Sequence, residues 1–299
     1  MINILTKPYS EISGPNKVVE NLIKGLDIIK YPYVINKKAD YCENIFIPNG
    51  RKNLLKASIN IRSKNKIIAG PNFFVLPCDV PFYLKPIIKR LNSYIHPAEW
   101  VKTLWEKLNF NLTKIKVWPT GIDTYQFRER QIPSKMHILV YFKQREIKFL
   151  KNILHILNKK KLEYTLIEYG KYREDNFISE MKKTSFIIWY GRHESQGIAL
   201  EECLSSDIPI LVLESKSLWN QRPDFGYETY KSELKDFEVT TVPYFDKNCG
   251  IILENYDLIE QSIDYMSDNY RNFNPREYIL NNLSLEKQAW DLINLFDDE

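Results

Sequence analysis

Short uninterrupted apolar runs alternate along the chain with stretches in which apolar residues recur every three or four positions. The first kind reads as buried strands, the second as amphipathic helices. Strand candidates in the first part are INIL (Ile2 to Leu5), YVIN (Tyr33 to Asn36), IFIPN (Ile45 to Asn49), KIIAGP (Lys66 to Pro71) and KIKVW (Lys114 to Trp118). After the turn SEISGPNK, the segment VVENLIKGLDIIK sets Val18, Leu22, Leu26 and Ile29 on one helical face, and PAEWVKTLWEKL is a second helix. Residues 119–135, PTGIDTYQFRERQIPSK, break the periodicity with Pro119, Gly121 and Pro133, as a linker does. The alternation then restarts with HILVYF, a helix from about Glu146 to Lys159, YTLIEYG, a helix over DNFISEMKKT, FIIWYG, a helix over IALEECLSS, PILVLE, EVTTVPY and CGIILE. The tail from Tyr256 to Phe296 reads as helices only.

Apolar, β-branched strands alternating with helices predict parallel sheets covered on both faces. Two such starts predict an α/β chain of two Rossmann-like domains, residues 1–118 and 136–275, joined by the linker 119–135. A C-terminal helix in 276–299 is expected to pack back on the first domain. Ligands of open α/β sheets sit at the carboxyl ends of strands, so the site is expected in the cleft between the two sheets.

Composition narrows the class. Of 299 residues, 44% are apolar and 27% charged, as in soluble globular proteins. No run approaches the twenty apolar residues of a membrane-spanning helix. The start, MINILTKPYSEIS, shows no secretory pattern. Cys42, Cys78, Cys203 and Cys249 form no CxxC pair, which argues against a zinc site or disulfide scaffold and fits a reducing, cytoplasmic compartment. The four histidines include no i, i+4 pair, so no metal site is expected. The net charge of +4 is uneven. Residues 1–130 hold 21 Lys and Arg against 10 Asp and Glu, so the remainder is acidic. A basic first half fits either an anionic partner or an ordinary solvated surface. No RNP-type stretch, helix-turn-helix cue or dense arginine cluster is present, so nucleic acid is not the expected partner. DVPFYLKPIIKRLNSYI (Asp79 to Ile95) mixes Phe82, Tyr83, Leu84, Ile87 and Ile88 with Lys85, Lys89 and Arg90, and reads either as core or as a basic amphipathic surface for anionic membrane.

The densest candidate chemistry lies in GRHESQGIALEECLSSDIPILVLE (Gly191 to Glu214). FIIWYG ends a strand, RHESQG is a loop and a helix follows. The first N–H groups of that helix, near Gly197 and Ile198, carry partial positive charge and suit a pyrophosphate. Gly197 allows close backbone approach. Glu194 precedes the helix, and Glu202 lies five residues beyond Gly197, roughly 7.5 Å of helical rise. Such an offset suits one carboxylate near a sugar and the other near a ribose, each accepting from vicinal hydroxyls. Taken alone, two acids at this spacing are also ordinary helix-entry and surface acids.

ESQGIALEECLSSDIPILV resembles the E-x7-E segment of GT-B glycosyltransferases, in particular glycosyltransferase family 4. Glu194, Gly197, Glu202 and Pro209 stand at the matching places, with Ser195 and Asp207 where the family commonly has glycines. VWPTGIDTYQFR resembles the family's interdomain segment through Gly121, Ile122, Asp123, Phe127 and Arg128. HPAEWVKTLW and ISGPNKVVENLIKGL resemble a late helix start and the opening glycine loop of its first domain. The resemblance covers most of the chain.

The resemblance implies a GT-B fold and transfer of a sugar from a UDP- or GDP-type nucleotide-diphosphate donor to a glycan, lipid-linked or other hydroxyl acceptor. It implies retention at the anomeric carbon, no metal and no separate cofactor. Lys143 and Lys148 match the family's phosphate clamp, with Lys143 in place of an arginine and Arg145 able to substitute as a forked donor. Two cations there would neutralise the departing diphosphate, with Glu194 orienting the sugar. Ser195, Gln196, Gly197, Ile198 and Glu202 follow as donor-side residues. His193 is a candidate for a sugar hydroxyl, Arg192 for phosphate, Tyr169 and Gly170 for the base, and Gly14 for backbone approach in the first turn. Lys17 and Asn72 are acceptor-side candidates, Asn72 standing where many members carry a histidine. That departure leaves acceptor activation unassigned and keeps open a sugar-nucleotide-binding protein with weakened chemistry. A nucleic-acid-binding protein using the basic first half is the more distant alternative.

Overall fold

The structure is a computed structural model. It describes residues 1–7, 14–38, 41–60, 64–131, 133–216, 218 and 234–298, with the side chains of 58–60 not described. Part of the opening turn, residues 10–13, lies outside the described residues.

The chain divides into two compact units. The first holds Met1–Gly121 and Leu283–Glu299, together with the described residues within 222–237; the second holds Ile122–Gln221 and Glu238–Asn282. Each is built on one parallel sheet.

Unit 1 contains β1 (Ile2–Ile4), β2 (Tyr33–Ile35), β3 (Asn44–Asn49), β4 (Lys66–Asn72), β5 (Ser93–His96) and β6 (Lys114–Val117) in the spatial order β2-β1-β3-β4-β5-β6. Its helices are α1 (Gly14–Ile28), α2 (Arg51–Asn60), α3 (Lys85–Ile88) and α4 (Glu99–Lys107). Central strands β1, β3 and β5 are buried along nearly their whole length and β4 through its middle, whereas edge strands β2 and β6 are half exposed. This is the gradient expected of a sheet covered on both faces. The amphipathic stretch 79–95 turns out to be divided. Val80, Leu84, Ile88 and Leu91 are core and the end of the stretch is the buried strand β5, while Phe82 and Tyr83 stay exposed beside Lys85, Lys89 and Arg90.

The last helix of the described chain, Leu285–Asp297, packs against α1. A methyl group on Gly25 would sit 2.5 Å from the Leu285 carbonyl oxygen, and one on Gly121 would sit 2.7 Å from Leu285 Cα. Glycine is therefore required for this approach. Polar groups close the seam. Asn21 Nδ2 donates to Gly121 O (2.7 Å), Trp118 Nε1 to Gln288 O (2.9 Å) and Lys66 Nζ to Phe296 O (2.8 Å).

Unit 2 contains β7 (Ile138–Phe142), β8 (Tyr164–Glu168), β9 (Phe186–Tyr190), β10 (Ile210–Leu213) and β11 (Gly250–Leu253) in the order β11-β10-β9-β7-β8. Its helices are α5 (Ile147–Lys159), α6 (Glu174–Lys183), α7 (Ile198–Ser205), α8 (Ile259–Asn269) and α9 (Pro275–Asn282); the unit 1 helix Leu285–Asp297 is α10. The uninterrupted apolar runs ILVYF, FIIWY and ILVL form the three buried central strands. EVTTVPY is not a strand. It makes a single bridge at Glu238 and then a loop, because Thr240 and Thr241 bond to the Glu214 carboxylate instead of a neighbouring strand. Arg276, on α9, ties the segment after Ile122 to α7 by donating to the carbonyls of Thr124 (3.1 Å), Phe127 (3.0 Å) and Ser205 (2.5 Å). Among the described residues no helix is long and apolar enough to cross a membrane.

Candidate functional site

The parallel register aligns three strand ends in unit 2: Phe142 lies opposite both Glu168 and Tyr190. The next residues, Lys143, Tyr169 and Gly191, therefore emerge side by side. Two backbone bonds fix the exits, from Lys143 N–H to Tyr190 O (3.1 Å) and from Tyr169 N–H to Phe142 O (2.9 Å).

Lys143 is held from two sides. Its Nζ donates to Glu194 Oε1 at 2.5 Å and stands 4.4 Å from the centroid of the Tyr169 ring. The side chains of Lys143 and Glu194 are only 11% and 15% exposed. In such surroundings charges interact more strongly than on an open surface. Glu194 is itself positioned through its backbone, which donates to Thr240 O (3.1 Å). The Thr240 loop is in turn shaped by Glu214, whose carboxylate accepts from Ser215 N–H (2.8 Å), Thr241 N–H (2.6 Å) and Thr240 Oγ1 (2.8 Å).

Gly197 has φ of +99°, in the left-handed region, and turns the loop into α7. Its carbonyl accepts from Leu200 and Glu201. Gln196 Nε2 donates to Glu201 Oε2 (2.9 Å), both residues buried. Burial pushes the Glu201 carboxyl well above the usual carboxylate range, and its Oε1 has no partner among the described residues. Glu202 is buried as well, Ile198 and His193 are half-buried, and Ser195 is exposed.

The structure thus brings together Lys143, Tyr169 and Glu194, with Gly197 and α7 continuing the Glu194 loop. Gly170, in the left-handed region at φ +80°, follows Tyr169 directly. Lys148 is exposed on the first turn of α5. Arg145 faces elsewhere: Nη1 donates to Gly191 O (2.8 Å) and Nη2 to Tyr256 OH (2.6 Å), with the guanidinium 4.9 Å from the centre of the Tyr190 ring. Tyr256 OH donates onward to Glu214 O. Arg145, Phe149, Tyr190, Glu214, Glu254 and Tyr256 line a cavity of about 740 Å3. Sequence reasoning missed Tyr256 and Glu214. Their contacts to Arg145, to the Thr240 loop and to each other depend on backbone groups and on strand order, which no spacing in the chain displays.

The remaining candidates lie in unit 1. Gly14 opens α1, and Lys17 is half-buried on the same helix. Asn72 ends β4 with a buried Nδ2 that has no partner among the described residues. His96, at the end of β5, escaped the sequence reading. It is buried against Trp105 (centroids 4.4 Å) and Tyr94 (5.2 Å), and burial pushes its imidazole down to about 3. It is neutral at physiological pH and packed as a core residue. Among the described residues no three His, Cys, Asp or Glu side chains gather as a metal-holding group.

No protein-family model matches the sequence. No curated protein matches it either. Solved structures do match. Sucrose-phosphate synthase from Thermosynechococcus elongatus superposes with a TM-score of 0.55 at 10% identity, over 99% of this chain and 98% of its own. TarM of S. aureus, solved with fondaparinux, alpha-GlcNAc-glycerol and UDP, gives 0.54 at 12% identity over 93% of this chain. This chain spans 58% of the TarM chain. WaaG, a glycosyltransferase involved in lipopolysaccharide biosynthesis, gives 0.50 at 11% identity, over 99% of both chains. At such identities the likeness establishes the fold, which is GT-B, with two Rossmann-like units.

Proposed function

We propose that the chain is a glycosyltransferase that moves a sugar from a nucleotide-diphosphate donor to a hydroxyl acceptor. One observation carries the reading: in a GT-B fold, Lys143 and Glu194 leave adjacent strand ends and meet at 2.5 Å, on the loop that runs through left-handed Gly197 into α7. TarM, solved with UDP, and WaaG, a glycosyltransferase involved in lipopolysaccharide biosynthesis, share that fold.

The chemistry follows from these positions. The bond between the anomeric carbon and the diphosphate oxygen breaks, and a bond from that carbon to the acceptor oxygen forms. The acceptor proton passes to the departing diphosphate. Positive charge develops on the sugar and negative charge on the leaving group. Lys143 and the N–H groups at the start of α7 stabilise the diphosphate. Glu194 orients sugar hydroxyls and favours the positive centre. The donor's diphosphate replaces Glu194 as the partner of Lys143, which frees the carboxylate for the sugar. Tyr169 offers a ring face to the base, and Glu202 takes the ribose. Retention at the anomeric carbon and independence from metal, implied by the family 4 resemblance, belong to this reading. So does the assignment of unit 1, with Asn72 and Lys17, to the acceptor.

The test is donor consumption. Purified protein is incubated with UDP-, GDP- and ADP-sugars, with and without Mg2+, and released nucleoside diphosphate is quantified beside Glu194→Ala and Glu202→Ala. Release from one donor, lost in both variants, supports transfer and names the donor. A donor that shifts the unfolding temperature but is never consumed with any acceptor points to the weakened, binding-only protein. No shift with any donor overturns the sugar-nucleotide reading.

A further inference from the structure

Five of the lysines in the basic first part of the sequence gather in one place in unit 1. β2, β1 and β3 are neighbours, and the residues just beyond their carboxyl ends line a concavity of about 490 Å3. Lys7 follows β1, Lys37 and Lys38 follow β2, and Lys52 and Lys56 project from α2. All five are exposed. Among the described lining residues there is no carboxylate.

The floor is polar and already ordered. Buried Thr6 donates its N–H to Asn36 Oδ1 (2.9 Å), and Lys7 N–H donates to Asn49 Oδ1 (3.0 Å). Lys37 N–H donates to Asn3 Oδ1 (3.3 Å). These bonds tie the three loops together before any ligand arrives. The cations then face an unfavourable arrangement. Five lysines line one concavity, and Lys52 lies with Arg51 in the first turn of a ten-residue helix that has no acid there. Helix N-termini disfavour cations. A multiply charged anion in the concavity would reverse both effects, and the carboxyl ends of parallel strands are where such sheets bind ligands.

We propose that this pocket binds a phosphate-bearing anion, a phosphomonoester or diphosphate group. Five lysines outnumber the charges of a single carboxylate, and ammonium groups bind phosphate as point charges without the geometric demand of an arginine fork. If the transferase reading holds, on which this one step rests, the acceptor carries phosphate.

The experiment titrates the full chain with inorganic pyrophosphate by calorimetry at low ionic strength. Wild type binds, and affinity falls as salt is raised. Lys37→Gln/Lys52→Gln/Lys56→Gln lowers the affinity of this event at least tenfold, whereas Lys182→Gln, at an exposed lysine of unit 2, leaves it in place. Equal affinity in the triple variant and wild type, or no binding by wild type, overturns the proposal. A measurement that needs no variant runs beside it: pyrophosphate protects Lys52 and Lys56 of wild type from acetic anhydride, read by mass spectrometry, and absence of protection overturns the proposal equally. Vesicles of phosphatidylcholine with 20 mol% phosphatidic acid, whose headgroup is a phosphomonoester, separate the sources. Flotation abolished by pyrophosphate supports the pocket with a lipid headgroup as its source. No flotation with pyrophosphate bound supports a free phosphate compound. Flotation that pyrophosphate leaves unchanged marks diffuse surface attraction and overturns the pocket as the cause. None of these readouts involves donor consumption, so this proposal and the transferase reading fail separately.

Discussion

Lys143 Nζ and Glu194 Oε1 lie 2.5 Å apart although 51 residues separate them in the chain. The pair exists because β7 and β9 are hydrogen-bonded neighbours with level ends. Lys143→Met is expected to lower nucleoside diphosphate release by roughly 10²–10³-fold, the cost of removing one preorganised group from a developing charge. Lys143→Met/Glu194→Gln should lose less than the product of the two single losses, because the residues act as a unit. Initial rates on the preferred donor check both; strictly multiplicative losses would mean that the two side chains work independently.

Gly197→Ala tests the turn into α7. The nearest atom to the added methyl would be Glu194 Cβ at 3.6 Å, so space is available. The cost is the backbone at φ +99°, about 1–2 kcal/mol for a residue with a Cβ. Hydrogen exchange on α7 should speed up and donor affinity should fall. Unchanged exchange would show that the turn relaxes without strain.

Glu201 predicts a pH effect whose sign can be worked out. Its folded carboxyl titrates well above the ordinary value of 4.5 because burial disfavours the charge. Above pH 4.5 the unfolded chain releases this proton while the folded chain keeps it. Stability from this group is therefore complete below 4.5 and declines as pH rises toward the folded value. Glu201→Gln keeps the shape and can accept from Gln196 Nε2 through its amide oxygen. The variant should melt higher than wild type at pH 8 and equal to it at pH 4. A variant that melts lower at pH 8 would show that the ionised carboxylate stabilises the fold.

At Gly25 two opposing magnitudes decide the outcome. Alanine improves helix propensity by about 0.8–1 kcal/mol. Against that, its methyl meets the Leu285 carbonyl oxygen at 2.5 Å, and overpacking costs about 1–3 kcal/mol. Gly25→Ala should thus destabilise unit 1 on balance, and Gly25→Val, with poorer propensity and more volume, should do so more strongly. Exchange rates in α1 and α10 report it locally. A stabilised Gly25→Ala would mean that the two helices separate at little cost.

The fold was legible where burial is two-sided. ILVYF, FIIWY and ILVL have no polar residue to hide their period, and they are the central strands of unit 2. β5 was overlooked because Ser93 and His96 mark its ends as polar, although both are buried in the sheet. α2 was overlooked because its exposed lysines blur the apolar stripe. The false strand over EVTTVPY has the composition of a strand, but its threonines cap a carboxylate. For the candidate site, local sequence singled out Lys143, Tyr169 and Glu194 one at a time. Their meeting depends on strand order, with β7 between β8 and β9, which is a property of long-range pairing. The five-lysine pocket shows the same limit: its members fall in three segments that only the order β2-β1-β3 unites.

The docking of α10 on α1 bears on the order of folding during synthesis. Unit 1 opens with Met1 yet needs Leu285–Asp297 to cover Gly25 and to bond Trp118 and Lys66. The ribosome makes all of unit 2 before it makes that helix. The usual vectorial sequence, in which the N-terminal domain folds first, is therefore inverted. Unit 2 has all its residues while unit 1 still exposes the apolar face of α1, so stalled chains ending before residue 285 should carry a folded second unit and an open, chaperone-binding first one.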